Sequence, residues 1–384
     1  MRFPDRLRTP QAVVLADRLE RNLAQMAAFA SGSGIELRPH AKTHKCVEIA
    51  RRQIELGASG ISVATVGEGE ALCRRSHSGP GSNFGDGPGR LDDVFIAYPL
   101  WPAEDLLDRL RALASFRDGV KLTVGVDSTE SAHLLSDLAG VVDVMVEVDC
   151  GLRRTGVYPD PPDQLLAVGR AVQHSGLHLK GVFTFPGHSY LPGGQAAAAQ
   201  DEADALVQAA QVLMAGGLAE PGRGLERSGG STPSAHHSVA SALTEMRPGV
   251  YVFNDAQQVE LGVASLDQVA LVIAATVVSR PRPDRIVLDA GSKALGPDRP
   301  VWTSGHGRLL DWPEARVTGL WEHHAVVSFQ GVDEPPPGMG EVVAVVPNHV
   351  CTAVNLTPEL LVVDGALHGN IVDTWVVAAM GANR

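Results

Sequence analysis

The sequence predicts a (β/α)8 barrel followed by a separate β domain, and three observations lead to this fold class. Through the first two thirds of the 384 residues, short apolar, β-branched runs alternate with amphipathic stretches. This alternation is the pattern of βα units around a parallel sheet. Eight such runs can be distinguished, and eight parallel strands close a barrel. From about Leu266 the texture changes to β-rich segments broken by Pro and Gly, which indicates a second domain.

The strands and helices follow from the same patterns. The eight barrel strands are predicted at Gly34–Arg38, Gly60–Ala64, Asp93–Ala97, Val120–Val124, Val142–Asp149, Leu179–Thr184, Leu225–Gly229 and Gly249–Phe253. Helical periodicity predicts helices between them, such as Pro102–Leu113 and Gln195–Ala215. The β-domain strands are predicted at Val269–Val278, Arg285–Leu288, Arg316–Leu320, Ala325–Ser328, Glu341–Val346 and Leu360–Val363. Residues 76–90, rich in Gly, Pro and Ser, are predicted to be a flexible insertion before the third strand.

Composition narrows the classes of function. The formal net charge is -12 at pH 7, so no overall basic field would attract a nucleic-acid backbone. No stretch reaches the roughly 18 uninterrupted apolar residues of a membrane span. We therefore expect a soluble, cytoplasmic protein that binds a small molecule and neither nucleic acid nor membrane. The cysteines at 46, 73, 150 and 351 are scattered without CxxC spacing, which predicts no disulfide framework.

One lysine stands out as a candidate nucleophile. Lysine occurs only at positions 42, 45, 121, 180 and 293. The first predicted strand brings Arg38, His40, Lys42 and His44 to its C-terminal end, where barrel enzymes place their reactive groups. A partly desolvated lysine among other cations tends to lose its charge, and an uncharged amine is what a Schiff-base nucleophile requires. A solvated basic loop is the alternative interpretation, and Lys45 is the rival amine.

Further candidates follow the later barrel strands. The loop that contains Gly230, Ser231 and Thr232 can present backbone N–H groups and hydroxyls to a phosphate, although such runs also form ordinary loops. Tyr251 and Asp255 could hold the same phosphate, or Tyr251 could be buried for structural reasons. After the sixth strand, His188 is a candidate acid–base group. Arg154 could contact a cofactor or a carboxylate, or form a salt bridge at the barrel rim.

The β domain carries a candidate metal motif, His349-Val350-Cys351. On an extended segment, side chains at i and i+2 point to the same side, so imidazole and thiolate could share a metal. Nitrogen and sulfur donors favour zinc over magnesium or manganese. A site of only two residues leaves positions open for water or a substrate hydroxyl, which suits catalysis. The pair could also be a coincidence, and His323-His324 could lie on the surface.

Taken together, these motifs resemble the D-serine dehydratase and D-threonine aldolase family. The motifs, in the order of that family, are Arg38–Lys45, the Gly-Gly-Ser-Thr loop at 229–232, Arg247-Pro-Gly-x-Tyr251, Leu288–Lys293 and Pro347-Asn-His-x-Cys351. Family members are fold-type III pyridoxal-phosphate enzymes related to the N-terminal barrel of alanine racemase. The resemblance spans roughly residues 8 to 380.

The resemblance implies which residues hold the cofactors. Lys42 would form the Schiff base with pyridoxal 5'-phosphate, and His349 with Cys351 would bind a divalent metal. The resemblance also implies a cofactor-binding barrel over residues 16–262, a β domain built from 1–15 and 263–384, and a homodimer with active sites at the subunit interface. The remaining expected site residues are, near the cofactor, His40, Arg154, Gly230, Ser231, Thr232 and Tyr251, and, as catalytic groups near the pocket, His188 and His324.

The metal motif favours one reaction within the family. Its dehydratases typically carry His-x-Cys with zinc, and its aldolases carry His-x-Asp with manganese or magnesium. Cys351 therefore favours a D-serine dehydratase-like lyase that converts D-serine to pyruvate and ammonia. The alternatives are D-threonine aldolase-type cleavage to glycine and an aldehyde, 3-hydroxyaspartate as the substrate, and manganese or magnesium as the metal. From another class, a non-catalytic pyridoxal-phosphate carrier would leave the β domain and the metal motif unexplained.

Overall fold

The structure is a computed structural model that describes residues 7–76, 90–117, 119–219, 222, 224–238, 241–365 and 369–384. Apart from its two end residues, the predicted insertion at 76–90 lies outside the described residues. The chain divides into two compact units. A β unit comprises Met1–Gln25, Thr43–Cys46 and Val250–Gly381, and a barrel unit comprises Met26–Lys42, Val47–Gly249 and Ala382–Arg384. The domain limits of 16–262 and 1–15 plus 263–384 stay a prediction.

The secondary structure alternates in the barrel unit and is mostly β in the β unit. The strands are β1 (Gln11–Leu15), β2 (Glu36–Leu37), β3 (Ile61–Val63), β4 (Asp93–Pro99), β5 (Lys121–Val126), β6 (Val142–Glu147), β7 (His178–Phe183), β8 (Glu226–Gly229), β9 (Glu245–Met246), β10 (Leu271–Arg282), β11 (Arg285–Leu288), β12 (Gly307–Leu309), β13 (Arg316–Leu320), β14 (Ala325–Ser328), β15 (Val342–Pro347), β16 (Glu359–Val363) and β17 (Ile371–Val376). The helices are α1 (Ala16–Ser33), α2 (Val47–Glu55), α3 (Val66–Ser76), α4 (Glu104–Ala114), α5 (Thr129–Leu134), α6 (Asp163–His174), α7 (Gln195–Ala215), α8 (Ala256–Glu260), α9 (Ser292–Leu295) and α10 (Val350–Asn355).

The barrel unit is built on eight parallel strands in the order β2-β9-β8-β7-β6-β5-β4-β3. The sheet closes between β2 and β3, because the Ser62 amide donates to the Pro39 carbonyl over 2.8 Å and His40 forms a parallel bridge with Ser62. Buried aromatic rings fill part of the interior, where Phe95 and Phe183 meet edge to face at 5.1 Å. The predicted (β/α)8 barrel is confirmed, and all its strands end at one face.

The eighth barrel strand is not where the sequence predicted it. Strand β9 pairs with β2 on one side and β8 on the other, whereas Val250–Val252 form a 3-10 helix. The prediction of a strand at Gly249–Phe253 is therefore wrong. Pro248 has no N–H for a strand ladder, and a short apolar run does not by itself distinguish a strand from a helix.

The β unit contains one sheet in the order β11-β14-β13-β12-β15-β10-β1-β16-β17. The long strand β10 also pairs with β11, so that β10 to β15 close into an antiparallel barrel. Strand β1 lies between antiparallel β10 and parallel β16, and its Val13, Val14 and Leu15 are completely buried. The predicted C-terminal β domain is confirmed. Within the described residues, every helix is too short or too polar to traverse a lipid bilayer.

Candidate active site

The amine of Lys42 lies over an aromatic ring at the C-terminal end of the barrel strands. Lys42 belongs to the short 3-10 helix Ala41–Thr43, which follows β2. Its side chain is half-buried, and Nζ is 5.5 Å from the centroid of the Phe185 ring. Phe185 follows β7, so two separate strand ends come together here. His40, two residues before Lys42, is also half-buried.

The rival lysine has a different environment. Lys45 is 5% exposed, and its backbone φ of 51° lies in the left-handed region. Its Nζ donates to Oδ1 of Asn355, the last residue of α10, over 2.7 Å. This amine therefore bonds to a side chain of the β unit.

Arg154 shares the Phe185 ring with Lys42. Its guanidinium carbon lies 5.3 Å from the ring centroid, and Nη2 is 3.9 Å from Oε1 of Glu147 at the end of β6. Burial raises the pKa of Glu147 to about 7, although a hydrogen bond from Thr155 and the charge of Arg154 oppose the shift. The strand ends thus combine an amine, a guanidinium and a carboxyl group that titrates near neutral pH.

The Gly-Ser-Thr loop after β8 forms a buried cluster of hydroxyl groups. Ser231 Oγ is 2.8 Å from the hydroxyls of both Ser189 and Ser234, and all three residues are at most 2% exposed. Gly230 has φ +87°, and a Cβ atom there would lie 3.1 Å from Cβ of Met246. Thr232, next in the loop, is 5% exposed.

A buried glutamate lies behind this loop. Glu202 of α7 is completely buried and accepts the Gly230 N–H on Oε1 over 2.5 Å. A Cβ atom at Gly229 would lie 2.4 Å from the same oxygen, so the glycine is required for this close approach. Burial raises the pKa of Glu202 to about 7, although the Gly230 N–H and Arg247 oppose the shift.

The two other histidines predicted as catalytic groups lie in different settings. His188 is half-buried in the 3-10 helix Gly187–Tyr190, and its Nε2 is 3.1 Å from Oδ2 of Asp201. A Cβ atom at Gly151 would lie 3.5 Å from Cε1 of His188, so this ring borders the loop that carries Arg154. His324 lies exposed in the turn between β13 and β14 of the β unit.

Tyr251, predicted to help hold the phosphate, lies in the β unit. It is 5% exposed within the 3-10 helix Val250–Val252. Asp255, predicted with it, instead caps α8, since its Oδ1 accepts the Gln258 N–H over 3.0 Å.

The metal motif lies at a helix start and not on an extended segment. His349 is the residue before α10, and Cys351 lies in the first turn of α10. The prediction of an extended His-x-Cys segment is therefore wrong. The strand ends at Pro347, and the side-chain Nδ2 of Asn348 then donates to the carbonyl of Gly305 over 2.7 Å, which anchors the bend after the strand. The helix start still brings imidazole and thiol together, because Cys351 hydrogen-bonds to the His349 ring.

Each donor of the motif has a second contact within the β unit. Nδ1 of His349 is 3.4 Å from Oδ2 of the buried Asp255. The Sγ atom of Cys351 is 3.3 Å from Oγ1 of Thr43, the residue after Lys42 in the chain. Although burial lowers the pKa of His349, its interactions with Cys351 and with Asp255 raise that pKa well above its usual value. In the part of the chain that the structure describes, no three His, Cys, Asp or Glu side chains are grouped for a metal.

Sequence reasoning missed several of these neighbours. Phe185, Thr43 and Glu202 were not predicted as site residues. Glu202 had a usable signal, because it shares the buried face of an alanine-rich helix with Ala198, Ala205 and Leu206. A charged residue on such a face calls for an explanation. The contacts of Phe185 have no comparable signal in the sequence.

Comparison with known proteins places the chain in a family. Residues 14–257 match the family model described as "Alanine racemase, N-terminal domain", and residues 270–363 match the "Putative serine dehydratase domain". The chain therefore belongs to the fold-type III pyridoxal-phosphate enzymes, in the D-serine dehydratase and D-threonine aldolase family that the motifs predicted.

The similarity to individual relatives covers nearly the whole chain. The D-threo-3-hydroxyaspartate dehydratase of Delftia sp. is 33% identical over an alignment of 396 positions. The alignment covers 96% of this chain and 97% of that protein. The D-threonine aldolase of Arthrobacter sp. is 32% identical, with 99% and 94% covered. The crystal structure of D-threonine aldolase from Filomicrobium marinum superposes with a TM-score of 0.83 at 29% identity and covers 98% of this chain and 96% of that one. The protein is thus a pyridoxal-phosphate-dependent lyase.

The barrel unit offers groups that fit pyridoxal phosphate. A half-buried amine stands over an aromatic ring at Lys42. The buried hydroxyls around Ser231 and the glycine at 230 provide donors and close access for a phosphate group. In the β unit, the imidazole and thiol of His349 and Cys351 are a donor set that suits a divalent metal such as zinc.

Proposed function

We propose that this lyase uses pyridoxal phosphate and zinc, as its divalent metal, to act on β-hydroxy D-amino acids. Within this substrate class, we propose that it dehydrates D-serine to pyruvate and ammonia. The observation that carries this choice is Cys351 beside His349, with its sulfur contacting Thr43 at 3.3 Å. A nitrogen and sulfur pair favours zinc over the harder cations. The Delftia relative supports dehydration, and the Arthrobacter relative supports the class of β-hydroxy D-amino acids.

The reaction removes one proton from Cα and hydroxide from Cβ, which together make water. The enamine that remains tautomerises to an imine, and hydrolysis of the imine gives pyruvate and ammonia. When bound, pyridoxal phosphate supplies an electron sink for the charge left at Cα, and the metal supplies a Lewis acid for the β-hydroxyl. In our proposal Lys42 binds the cofactor and then moves the Cα proton.

The side chains of the barrel unit have distinct tasks in this proposal. Gly230, Ser231 and Thr232 would hold the phosphate, and Phe185 would support the amine of Lys42 from one side. Arg154, over the same ring, would bind the carboxylate of the substrate or the cofactor. His188 is proposed as an acid–base group oriented by Asp201. The roles of His40, Tyr251 and His324, the homodimer and the cytoplasmic location also belong to this proposal.

A substrate panel tests the function. Purified protein, loaded with cofactor and zinc, is incubated with D-serine, D-threonine and D-threo-3-hydroxyaspartate. The assay measures pyruvate, 2-oxobutyrate, oxaloacetate, glycine and acetaldehyde. We expect pyruvate from D-serine, with no reaction of L-serine and none in Lys42→Ala. Glycine and acetaldehyde from D-threonine without any oxo acid would refute dehydration, and a strong preference for oxaloacetate formation would reassign the substrate.

Metal dependence is a separate test. A chelator should abolish pyruvate formation, and added zinc should restore it. Full activity in protein that contains less than one metal per ten chains would contradict the role proposed for His349 and Cys351.

A further inference from the structure

Asp255 joins the starts of two helices in the β unit. Its side chain is completely buried. Oδ1 accepts the Gln258 N–H at the start of α8 over 3.0 Å, and Oδ2 accepts the Val350 N–H at the start of α10 over 3.1 Å. The same Oδ2 is 3.4 Å from Nδ1 of His349. One carboxylate therefore holds the backbone directly after His349 and lies beside its ring, whose buried Nδ1 makes no hydrogen bond among the described residues.

The ring nitrogen that lies next to Asp255 determines which nitrogen of His349 is left for a metal. Nδ1 points toward the carboxylate, so Nε2 is the nitrogen available on the opposite edge of the ring. Histidine ligands of metals commonly donate their other ring N–H to a carboxylate, which sets the tautomer and makes the ligating nitrogen more basic. The 3.4 Å separation exceeds an ordinary hydrogen bond by a few tenths of an ångström, a gap that a small ring movement would close.

We propose that Asp255 is a positioning residue of the metal site, which holds His349 by Nδ1 so that Nε2 binds the metal. This inference rests on the proposed metal site at His349 and Cys351, and it adds a residue that the sequence motif does not contain. Asp255 itself is not a ligand in this proposal, since both its oxygens are occupied by backbone N–H groups.

Capping two helix starts requires two acceptor oxygens, which the carboxylate of Asp255 has and the carboxamide of Asn lacks. Burying a carboxylate costs free energy unless donors surround it. The two backbone N–H groups are such donors, and the imidazole, 3.4 Å away, is a third group that can donate to Oδ2 once its ring moves.

The substitution Asp255→Asn tests this role because it keeps the shape of the side chain and one acceptor oxygen. Metal-free protein is titrated with zinc in competition with a chromophoric chelator. Cobalt-loaded protein is compared by its visible spectrum, which reports the ligand field. We expect the metal affinity to fall by about 10- to 100-fold, as is usual when the partner of a metal-bound histidine is removed. The d–d bands of the cobalt protein should shift as well.

The matched control is Asp289→Asn in the same unit. Asp289 also accepts a backbone N–H, from Thr276 over 2.8 Å, and a hydroxyl, from Thr9 over 2.6 Å. A purely structural loss would lower the thermal stability of both variants and leave their metal affinities within twofold of the wild type. That outcome for Asp255→Asn would overturn the inference.

Failure of the inference and failure of the proposed function are distinguishable. If the wild type binds one metal that His349→Ala loses, and Asp255→Asn retains it at full affinity, only the inference fails. If the wild type binds no metal, the proposed function itself is wrong. Should Asp255→Asn not fold, a crystal structure of the zinc-loaded wild type decides the matter. Zinc on Nε2 with Nδ1 bonded to Asp255 supports the inference, and zinc on Nδ1 overturns it.

Discussion

The buried carboxyl of Glu202 should make the stability of the cofactor-free protein depend on pH between about 4.5 and 7. Glu202 has no exposed surface, and one oxygen accepts the Gly230 N–H. Its other oxygen, Oε2, has no hydrogen-bond partner among the described residues. Burial therefore raises the pKa from the usual 4.5 to about 7, even though Gly230 and Arg247 oppose the shift.

The size and sign of the effect follow from this difference. Each pKa unit corresponds to about 1.36 kcal/mol, so the carboxyl contributes about 3 kcal/mol to the pH dependence of the free energy of unfolding. The folded state binds the proton more tightly than the unfolded state because the folded pKa is the higher one. The contribution is thus fully present below pH 4.5 and is lost as the pH rises through about 7.

The substitution Glu202→Gln isolates this group, because the amide cannot ionise. Urea unfolding of both proteins, at fixed protein concentration and without cofactor, gives the free energy of unfolding from pH 4.5 to 8. The wild type should lose about 3 kcal/mol relative to Glu202→Gln over this range. Replacement of the exposed Glu104 by Gln measures the effect of removing one negative charge from the surface. A difference between the wild type and Glu202→Gln that stays constant over the whole range would refute the reasoning.

Three further predictions concern the cofactor and metal groups. Lys42→Ala should abolish the visible absorbance of the cofactor Schiff base and Lys45→Ala should keep it, because the Lys42 amine lies at the ends of the barrel strands beside Phe185, whereas the Lys45 amine bonds to Asn355 of the β unit. The reverse spectra would reassign the nucleophile. Thr43→Val removes the hydroxyl beside Cys351, so the sulfur-to-metal charge-transfer band of the cobalt protein should shift; Thr43→Ser should restore it, and an unchanged band in Thr43→Val would contradict the contact. Gly230→Ala forces a side chain into φ +87°, so the free energy of unfolding should fall by about 1–2 kcal/mol in a urea titration; an unchanged free energy of unfolding would contradict the strained conformation of this loop.

Much of the fold could be predicted because its signals are local. Helix α7 and strands β11, β13 and β14 begin and end at the predicted residues, since periodicity and Gly or Pro boundaries mark them in the sequence. The eighth barrel strand could not be predicted in this way. Glu245 is polar, and β9 exists because its neighbours β2 and β8 supply the pairing and Arg38 holds the Glu245 carboxylate at 2.6 Å. The three-residue strand β12 similarly depends on its partners.

The residues of the candidate site likewise differ in whether a local sequence signal marks them. Lys42, His349 and Cys351 are predicted site residues because motifs of adjacent residues carry them, and their roles stay predictions. The contact of Phe185 with Lys42 in the barrel unit and that of Asp255 with His349 in the β unit could not be predicted, since each joins residues about a hundred or more positions apart in the chain. Asp255 was expected to hold the phosphate because it lies close to Tyr251 in the sequence. In the structure its carboxylate accepts backbone N–H groups at the starts of α8 and α10.

The position of β1 has a consequence for how the chain is made. Val13 pairs with Val272 in β10 and with Leu361 in β16, so both partners of this strand come from the last third of the chain. During synthesis the segment Gln11–Leu15 leaves the ribosome long before either partner strand has been made. Its three aliphatic residues that are fully buried in the folded protein therefore stay unpaired until then. The barrel strands, whose neighbours follow one another in sequence, can meanwhile assemble in order. The β unit therefore completes its folding only when the final strands have emerged, and a chain that stops before β10 leaves an apolar strand exposed to aggregation.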